Sequence, residues 1–473
     1  MQTVDWLIVI AYFVALIVVG WRNRGAFSGV ATQTLLGGRA LTLPAFVATM
    51  VTTWYGGILG VGEYSYQYGI SNWLVFGLPY YLGALSFALF LAKPARRLKI
   101  LSVPERIRTR FGDKSALAAA LLVFITSAPT AYILILGVMA HYFLGVDVIT
   151  GALVAALLSL VYVFFGGFKA VVQTDKLQFL LMFGGFAALF SLLVAEHGFL
   201  DFLSANLPET HLTWHGGATF AYIASWYVIA QGALVEPTFY QRCFAAKTES
   251  VAKRGIIISI GFWALFDFMT TFCGMYARAL LPDLADPALA FPALAMHTLP
   301  PVLLGLFVTA LLAVVMSTID SYSFIAAVTF SYDIALPLMK RKVGGLRVYT
   351  LIGLILSTAI ALMFSLLFES IIEVWREFGS VIISALLFPL LWAFLSDERR
   401  AKLSDSAGLI WIVLPALTSV GWIAYRHLNE ARTYPFSEYP FLAEPVFPGL
   451  YLSLLLFLMF TFSALRKEKM SSI

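Results

Sequence analysis

The residues of this sequence best equipped to hold a small ion are hydroxyls and acids set inside apolar runs. Ala313-Val314-Val315-Met316-Ser317-Thr318-Ile319-Asp320-Ser321 places three alcohols and one acid in a long hydrophobic stretch. Hydroxyl oxygens, joined by main-chain carbonyls, suit a hard monovalent cation such as sodium. Hydroxyls in such a place also bond back to the carbonyl four residues earlier, a purely structural role. Asp320 is either a third ligand or a helix cap facing water. Asp175, in Gly166-Gly167-Phe168-Lys169-Ala170-Val171-Val172-Gln173-Thr174-Asp175-Lys176-Leu177-Gln178, is a further candidate or an ordinary interfacial acid. Glu63, Glu236 and Arg376 are ionisable groups in apolar segments, which as a rule face a cavity or a partner.

Carbonyls become available to an ion only where a helix is interrupted. The run Met50-Val51-Thr52-Thr53-Trp54-Tyr55-Gly56-Gly57-Ile58-Leu59-Gly60-Val61-Gly62-Glu63 gathers glycines and hydroxyls in an otherwise apolar segment. Each glycine costs a helix about 1 kcal/mol relative to alanine. Unwound backbone at bilayer depth is tolerated only against protein or a wet cavity, so a cation there is a natural partner for freed carbonyls. Close helix packing through small residues is the competing explanation. A second disturbance, Gln231-Gly232-Ala233-Leu234-Val235-Glu236-Pro237, ends in a proline that removes a backbone donor. Two interrupted segments five helices apart are the mark of inverted repeats with a binding site near the membrane midplane.

The elements that must position these groups are membrane spans. The chain has 473 residues, 60% hydrophobic and only 12% charged, whereas soluble domains run to about a quarter charged. Apolar runs recur at roughly 4–21, 43–66, 73–92, 115–144, 147–165, 170–195, 218–241, 255–277, 301–332, 347–367, 372–395, 407–425 and 445–464. These predict an all-α membrane protein of about thirteen transmembrane helices. The first run lacks the flanks of a removable signal peptide and is expected to be retained. With the N-terminus outside, all but four of the 31 Lys and Arg fall in cytoplasmic segments, as the positive-inside rule requires. These segments include Arg22, Arg24, Arg39, Lys93–Lys114, Arg242–Arg254, Lys340–Arg347, Arg399–Lys402 and Arg466–Lys469. The net charge of +5 is thus explained by membrane orientation and not by nucleic acid. Two cysteines, Cys243 and Cys273, form no disulfide framework, and six scattered histidines give no HExxH metal motif. No enzyme is expected.

Taken in order, several segments resemble the solute:sodium symporter family. They are Leu35-Leu36-Gly37-Gly38-Arg39, Val103-Pro104-Glu105 with Arg110-Phe111-Gly112, Gly166 to Gln178, Gln241-Arg242-Cys243-Phe244-Ala245-Ala246-Lys247, and Ala313 to Ser321. The resemblance implies a LeuT-type core of two inverted five-helix repeats with broken helices. It also implies a sodium site formed by the carbonyls of Met50, Thr53 and Val314 and the hydroxyls of Ser317 and Thr318, with Asp175 close by. Some members hold a second sodium through a hydroxyl where this chain has Val314, so one sodium per cycle is expected. The amide and aromatic side chains that sugar and proline carriers use are replaced here by Gly56-Gly57 and Gly232-Ala233. Solute contacts are expected at Thr52, Tyr55, Gly56, Gln231 and Glu236.

The expected organisation is a first helix and its connection (1–42), a first repeat (43–200), a second repeat (201–400), and two C-terminal helices with a cytoplasmic tail (401–473). The expected activity is sodium-coupled uptake of a small organic solute across the inner membrane, with no cofactor and no obligate protein partner. One rival is a proton-coupled carrier on the same scaffold, using Asp175 or Glu236. Another is a non-transporting sensor or channel, against which stands the short tail after the last run, ending near Arg466-Lys467-Glu468-Lys469.

Overall fold

The computed structural model describes residues 1–24, 31–339, 345–368, 371–395, 403–428 and 444–471. In lipid every backbone polar group must be satisfied within the protein, so long apolar runs fold as helices. In chain order the main ones are α1 (Thr3–Arg22), α2 (Leu43–Trp54), α3 (Ile58–Tyr68), α4 (Leu78–Phe90), α5 (Asp113–Thr126), α6 (Thr130–Leu144) and α7 (Val148–His197). There follow α8 (Phe220–Ile229), α9 (Pro237–Ala245), α10 (Glu249–Leu280), α11 (Leu303–Val328), α12 (Leu346–Ser365), α13 (Ile371–Leu395), α14 (Asp405–Leu428) and α15 (Val446–Ser471). Short helical turns join them.

The outer surface is apolar, the reverse of a soluble fold. Along α1, Leu7, Ile10, Val14 and Ile17 point outward at helical spacing, while Asp5, Val9, Tyr12 and Leu16 are buried. Asp5 accepts hydrogen bonds from the amides of Val302 (2.8 Å) and Gly305 (3.0 Å). It thereby meets the free donors at the start of α11, where an anion also complements the helix dipole. Between helices the packing uses small residues, as expected without a hydrophobic force between lipid-soluble surfaces. A β-carbon on Gly305 would lie 2.6 Å from the Asp5 backbone, and one on Gly353 would lie 2.9 Å from that of Ala327.

Several expected boundaries shift. Among the described residues, nine helices are long and apolar enough to cross a membrane, or ten if α2 and α3 are one bent span. The tally of thirteen is not reproduced on that test: the runs 147–165 and 445–464 correspond to shorter apolar helices, Val148–Leu160 and Val446–Thr461, and 218–241 is divided by its break. The run 115–144 is one span, Asp113–Leu144, within which α5 and α6 are separated at Ser127 to Pro129, where proline has no amide to continue the ladder. The runs 147–165 and 170–195 remain two helices, which meet inside α7 at Gly167, a non-helical residue with φ +56°. A left-handed residue of this kind is tolerated because glycine has no β-carbon.

The basic connections converge on one face. Arg39 donates to the carbonyls of Lys99 and Ile100, Arg96 to that of Ala246, and Arg97 pairs with Glu249 at 2.9 Å. The amide of Leu41 donates to Ala245 (3.0 Å) and that of Lys247 to Leu41 (2.9 Å), fastening the connection before α2 to the one after α9. Lys340 to Lys342, Arg399 to Lys402 and Arg432 lie outside the described residues.

Candidate functional site

The second apolar run breaks where its glycines predict. α2 ends at Trp54, α3 begins at Ile58, and the two are bent by 60°. The last carbonyls of α2 have no continuing helix to bond. Two of them turn toward α11: the Thr318 hydroxyl donates to the carbonyl of Thr53 at 2.9 Å, with that of Thr52 at 3.5 Å and that of Val314 on its own helix at 3.3 Å. This approach depends on Gly56, since a β-carbon there would stand 2.4 Å from the Thr318 side chain.

One turn away lies a buried carboxylate. Asp175 on α7 is fully buried and accepts hydrogen bonds from the hydroxyls of Ser317 (2.6 Å) and Thr49. It joins α2, α7 and α11. A buried charge requires a partner, and the nearby cation is Arg242 on α9. Its guanidinium is fully buried and donates to the hydroxyls of Ser321 (2.6 Å), Thr53 (2.9 Å) and Thr49 (3.2 Å). These three contacts are made by Nη2, while Nη1 donates to the Gln241 side-chain oxygen at 3.0 Å, so two arms of the fork are engaged.

The seventh run is also interrupted. After α8 the chain takes a tighter turn, Ala230–Leu234, and α9 starts at Pro237. Proline at the first helical position is preorganised for it and restricts the residue before. Glu236 accordingly sits in an extended conformation, its carboxylate accepting from the Thr238 amide at 3.2 Å.

Between the two breaks lies a cavity of about 180 Å³, whose walls include Tyr55 and Gly57 from the first break and Gly232, Ala233 and Glu236 from the second. At about 30 Å³ per water this admits some six waters or one small organic solute. Trp54, Phe76, Tyr80, Tyr132, Tyr322 and Trp375 contribute aromatic rings to its wall. A β-carbon on Gly57 would lie 1.5 Å from the Trp375 ring, so Gly57 is where that indole rests on the break. Two adjacent glycines thus serve two sites: Gly56 faces the hydroxyls of α11, and Gly57 faces the cavity.

Of the residues singled out from sequence, Thr53, Val314, Ser317, Thr318 and Asp175 come together as described. Met50 is buried on the same stretch of α2, one turn before Thr53. Asp320 does not face water: it is buried and accepts from Ser159 at 2.8 Å. Tyr55 and Glu236 line the cavity, and Thr52, Gly56 and Gln231 do not. The Thr52 hydroxyl bonds back to Ala48 at 3.0 Å, and Gln231 donates to the carbonyl of Tyr227 at 3.2 Å. Their polar groups are used by their own helices because one turn of backbone is nearer than any solute.

Sequence reasoning missed Thr49, Arg242, Trp375 and Asp267. Arg242 was counted among the cytoplasmic charges, yet all nine residues of α9 are buried. Asp267 lies near the middle of the 32-residue α10 and lines the cavity. The rule that flagged Glu236 would have found it, since it is an ionisable group deep within an apolar run.

The sequence profile of the Sodium:solute symporter family matches residues 35–398, well over half of the chain. This chain belongs to that family. Sodium-coupled symport is therefore its class of function, and it is a multi-pass membrane protein. It is 26% identical to the sodium/pantothenate symporter of Escherichia coli, over 95% of this chain and 94% of that one. It is 25% identical to the sodium/proline symporter of Staphylococcus aureus, over 90% and 88% respectively. The fold matches a Na+-coupled sialic acid symporter in a substrate-bound outward-open state, with a TM-score of 0.76 at 18% identity and coverage of 96% of each chain. A nucleobase-cation-symport-1 family transporter follows at a TM-score of 0.58 and 14% identity, covering 92% of this chain and 95% of that one. The architecture is the LeuT-type fold.

Proposed function

We propose that sodium binds between the end of α2 and α11, held by the carbonyls of Met50, Thr53 and Val314 and the hydroxyls of Ser317 and Thr318, with Asp175 supplying the balancing charge. The observation that carries this reading is the 2.9 Å contact of the Thr318 hydroxyl with the Thr53 carbonyl beside a fully buried carboxylate. Carbonyl and hydroxyl oxygens of this kind are the ligands that a hard cation prefers.

The solute occupies the adjacent aromatic cavity, against Tyr55 and Glu236. Sodium pins α2 to α11 through Gly56 and thereby fixes Gly57 and Trp375 on the cavity side. Each ligand then favours the same arrangement of the break, which is what coupling requires. The repeats run over 43–200 and 201–400, each opening with an interrupted span. The basic face formed by Arg39, Arg96 and Arg97 lies in the cytoplasm of a cell with an inner membrane, with the N-terminus outside, the C-terminus inside and transport inward.

One sodium enters per cycle, since Val314 offers no hydroxyl to a second. One charge crossing 100 mV contributes about 2.3 kcal/mol, and a tenfold sodium gradient about 1.4 kcal/mol. Together they concentrate a neutral solute roughly 500-fold.

The test is uptake into proteoliposomes under a sodium gradient or a pH gradient. Sodium alone should drive it, and replacing Ser317 and Thr318 together by alanine should raise the sodium concentration for half-maximal uptake about tenfold or more, the loss of roughly one good ligand (about 1.4 kcal/mol). Unchanged sodium dependence in that variant removes the site, and uptake driven by pH alone transfers the coupling to a proton.

A further inference from the structure

The two carboxylates on the cavity wall stand in different electrostatic surroundings. Glu236 is within the field of the Arg242 guanidinium and beside the Tyr322 hydroxyl. Asp267 makes no ion pair among the described residues, and the polar side chains facing it are those of Tyr81 and Tyr55. Tyr81 donates its hydroxyl to one carboxylate oxygen. Tyr55 is already committed to the carbonyl of Trp263 at 2.8 Å. An ionised carboxylate accepts at about four lone-pair positions, so most of the capacity of Asp267 is unspent.

The local structure opens that capacity to the cavity. Asn72–Gly77 is a π-helical turn leading into α4, a rare conformation that is frequent at functional sites. It is fastened to α10 by Asn72, whose amide donates to the Thr271 hydroxyl at 2.8 Å. Its last residue, Gly77, lines the cavity next to Asp267, and a β-carbon there would stand 3.0 Å from the carboxylate oxygen. None of the described residues lining the cavity is Lys or Arg. Trp54, Tyr80, Tyr132 and Trp375 stand in the remaining wall, and indole and phenol faces attract cations.

We propose that the transported solute carries a positively charged amine or ammonium group, either alone or as one end of a zwitterion, and that Asp267 is the anion on which it docks. This rests on the reading of the cavity as the solute site. Tyr81 holds the carboxylate in position, Gly77 leaves its outer edge open, and the tryptophans close over the cation. A solute bearing only a negative charge meets two acids and no basic side chain among the described residues of this wall.

The experiment is thermal unfolding of the purified protein in sodium, titrated with size-matched probes: cyclopentylamine, cyclopentanol and cyclopentanecarboxylate. The amine should stabilise saturably, at concentrations at least tenfold lower than either counterpart. Asp267→Asn should remove that preference, and Asp267→Glu should keep it. Equal effects of the three probes, a preference for the carboxylate, or an unchanged preference in Asp267→Asn overturns the proposal. Stabilisation by sodium without any probe, and its loss in the Ser317/Thr318 double variant, reports on the ion site alone. Failure of that site is therefore distinguishable from failure of the cation dock, and retained sodium stabilisation also certifies that Asp267→Asn is folded.

Discussion

The two interrupted spans reach similar places by different chemistry. The break between α2 and α3 is made by glycines, and its use is close approach: Thr318 comes within 2.4 Å and Trp375 within 1.5 Å of where β-carbons would stand. The break between α8 and α9 is made by a proline, and its use is to hold a carboxylate, Glu236, at the cavity edge. Glycine breaks are sensitive to added volume. Proline breaks are sensitive mainly to the missing donor, for which water or a neighbouring side chain can substitute. On the proposed reading, the ion and the coupling belong to the first break, and solute recognition alone to the second.

Adding volume at the first break gives the largest expected effect. Gly56→Ala should drive a methyl into Thr318 and cost about 1–3 kcal/mol of packing at the ion site, roughly 5- to 150-fold in apparent sodium affinity. Gly57→Ala should instead displace Trp375 and impair solute uptake while sodium-dependent stabilisation persists. Measuring sodium stabilisation and uptake for both variants checks this division, and identical defects would dissolve it. Next in size is Asp175→Asn. Removing the charge takes from Arg242 the stronger of its two acidic neighbours, Glu236 being the other, and the sodium required for half-activation should rise about tenfold, equivalent to about 1.4 kcal/mol. Normal activation would reduce Asp175 to a structural role.

At the second break Pro237→Ala should act least. The first position of α9 needs no donor, and alanine is a good helix former there. Uptake should stay within about threefold of the parent, a change of well under 1 kcal/mol. A loss as deep as that of Gly56→Ala would show that both breaks bear on coupling and would cancel the asymmetry.

The fold was legible because its determinants are local. An unbroken apolar run with no charge becomes a helix wherever it sits, and Gly56-Gly57 and Val235-Glu236-Pro237 weaken helices whatever surrounds them. Positions that depend on what lies opposite were harder to read. Thr52 and Gln231 look like solute contacts in a list of polar residues, yet each bonds a carbonyl four residues earlier on its own helix. Arg242 reads as one more loop charge until α9 is seen to be buried on every side. The run 115–144 reads as one span and is one, Asp113–Leu144, with its internal break at Pro129.

By itself the sequence determined that this is a many-spanning helical carrier, where its helices give way, and which hydroxyls and acids lie at membrane depth. Those properties follow from hydropathy and backbone propensity, which each short segment carries with it. Only the tertiary structure decided that Thr53 meets Thr318 across 265 residues, that Arg242 turns inward, and that Asp267 faces a cavity with no Lys or Arg among its described lining residues. Such contacts are made between segments distant in the chain, and their distances are set by how the helices cross, which no single segment encodes.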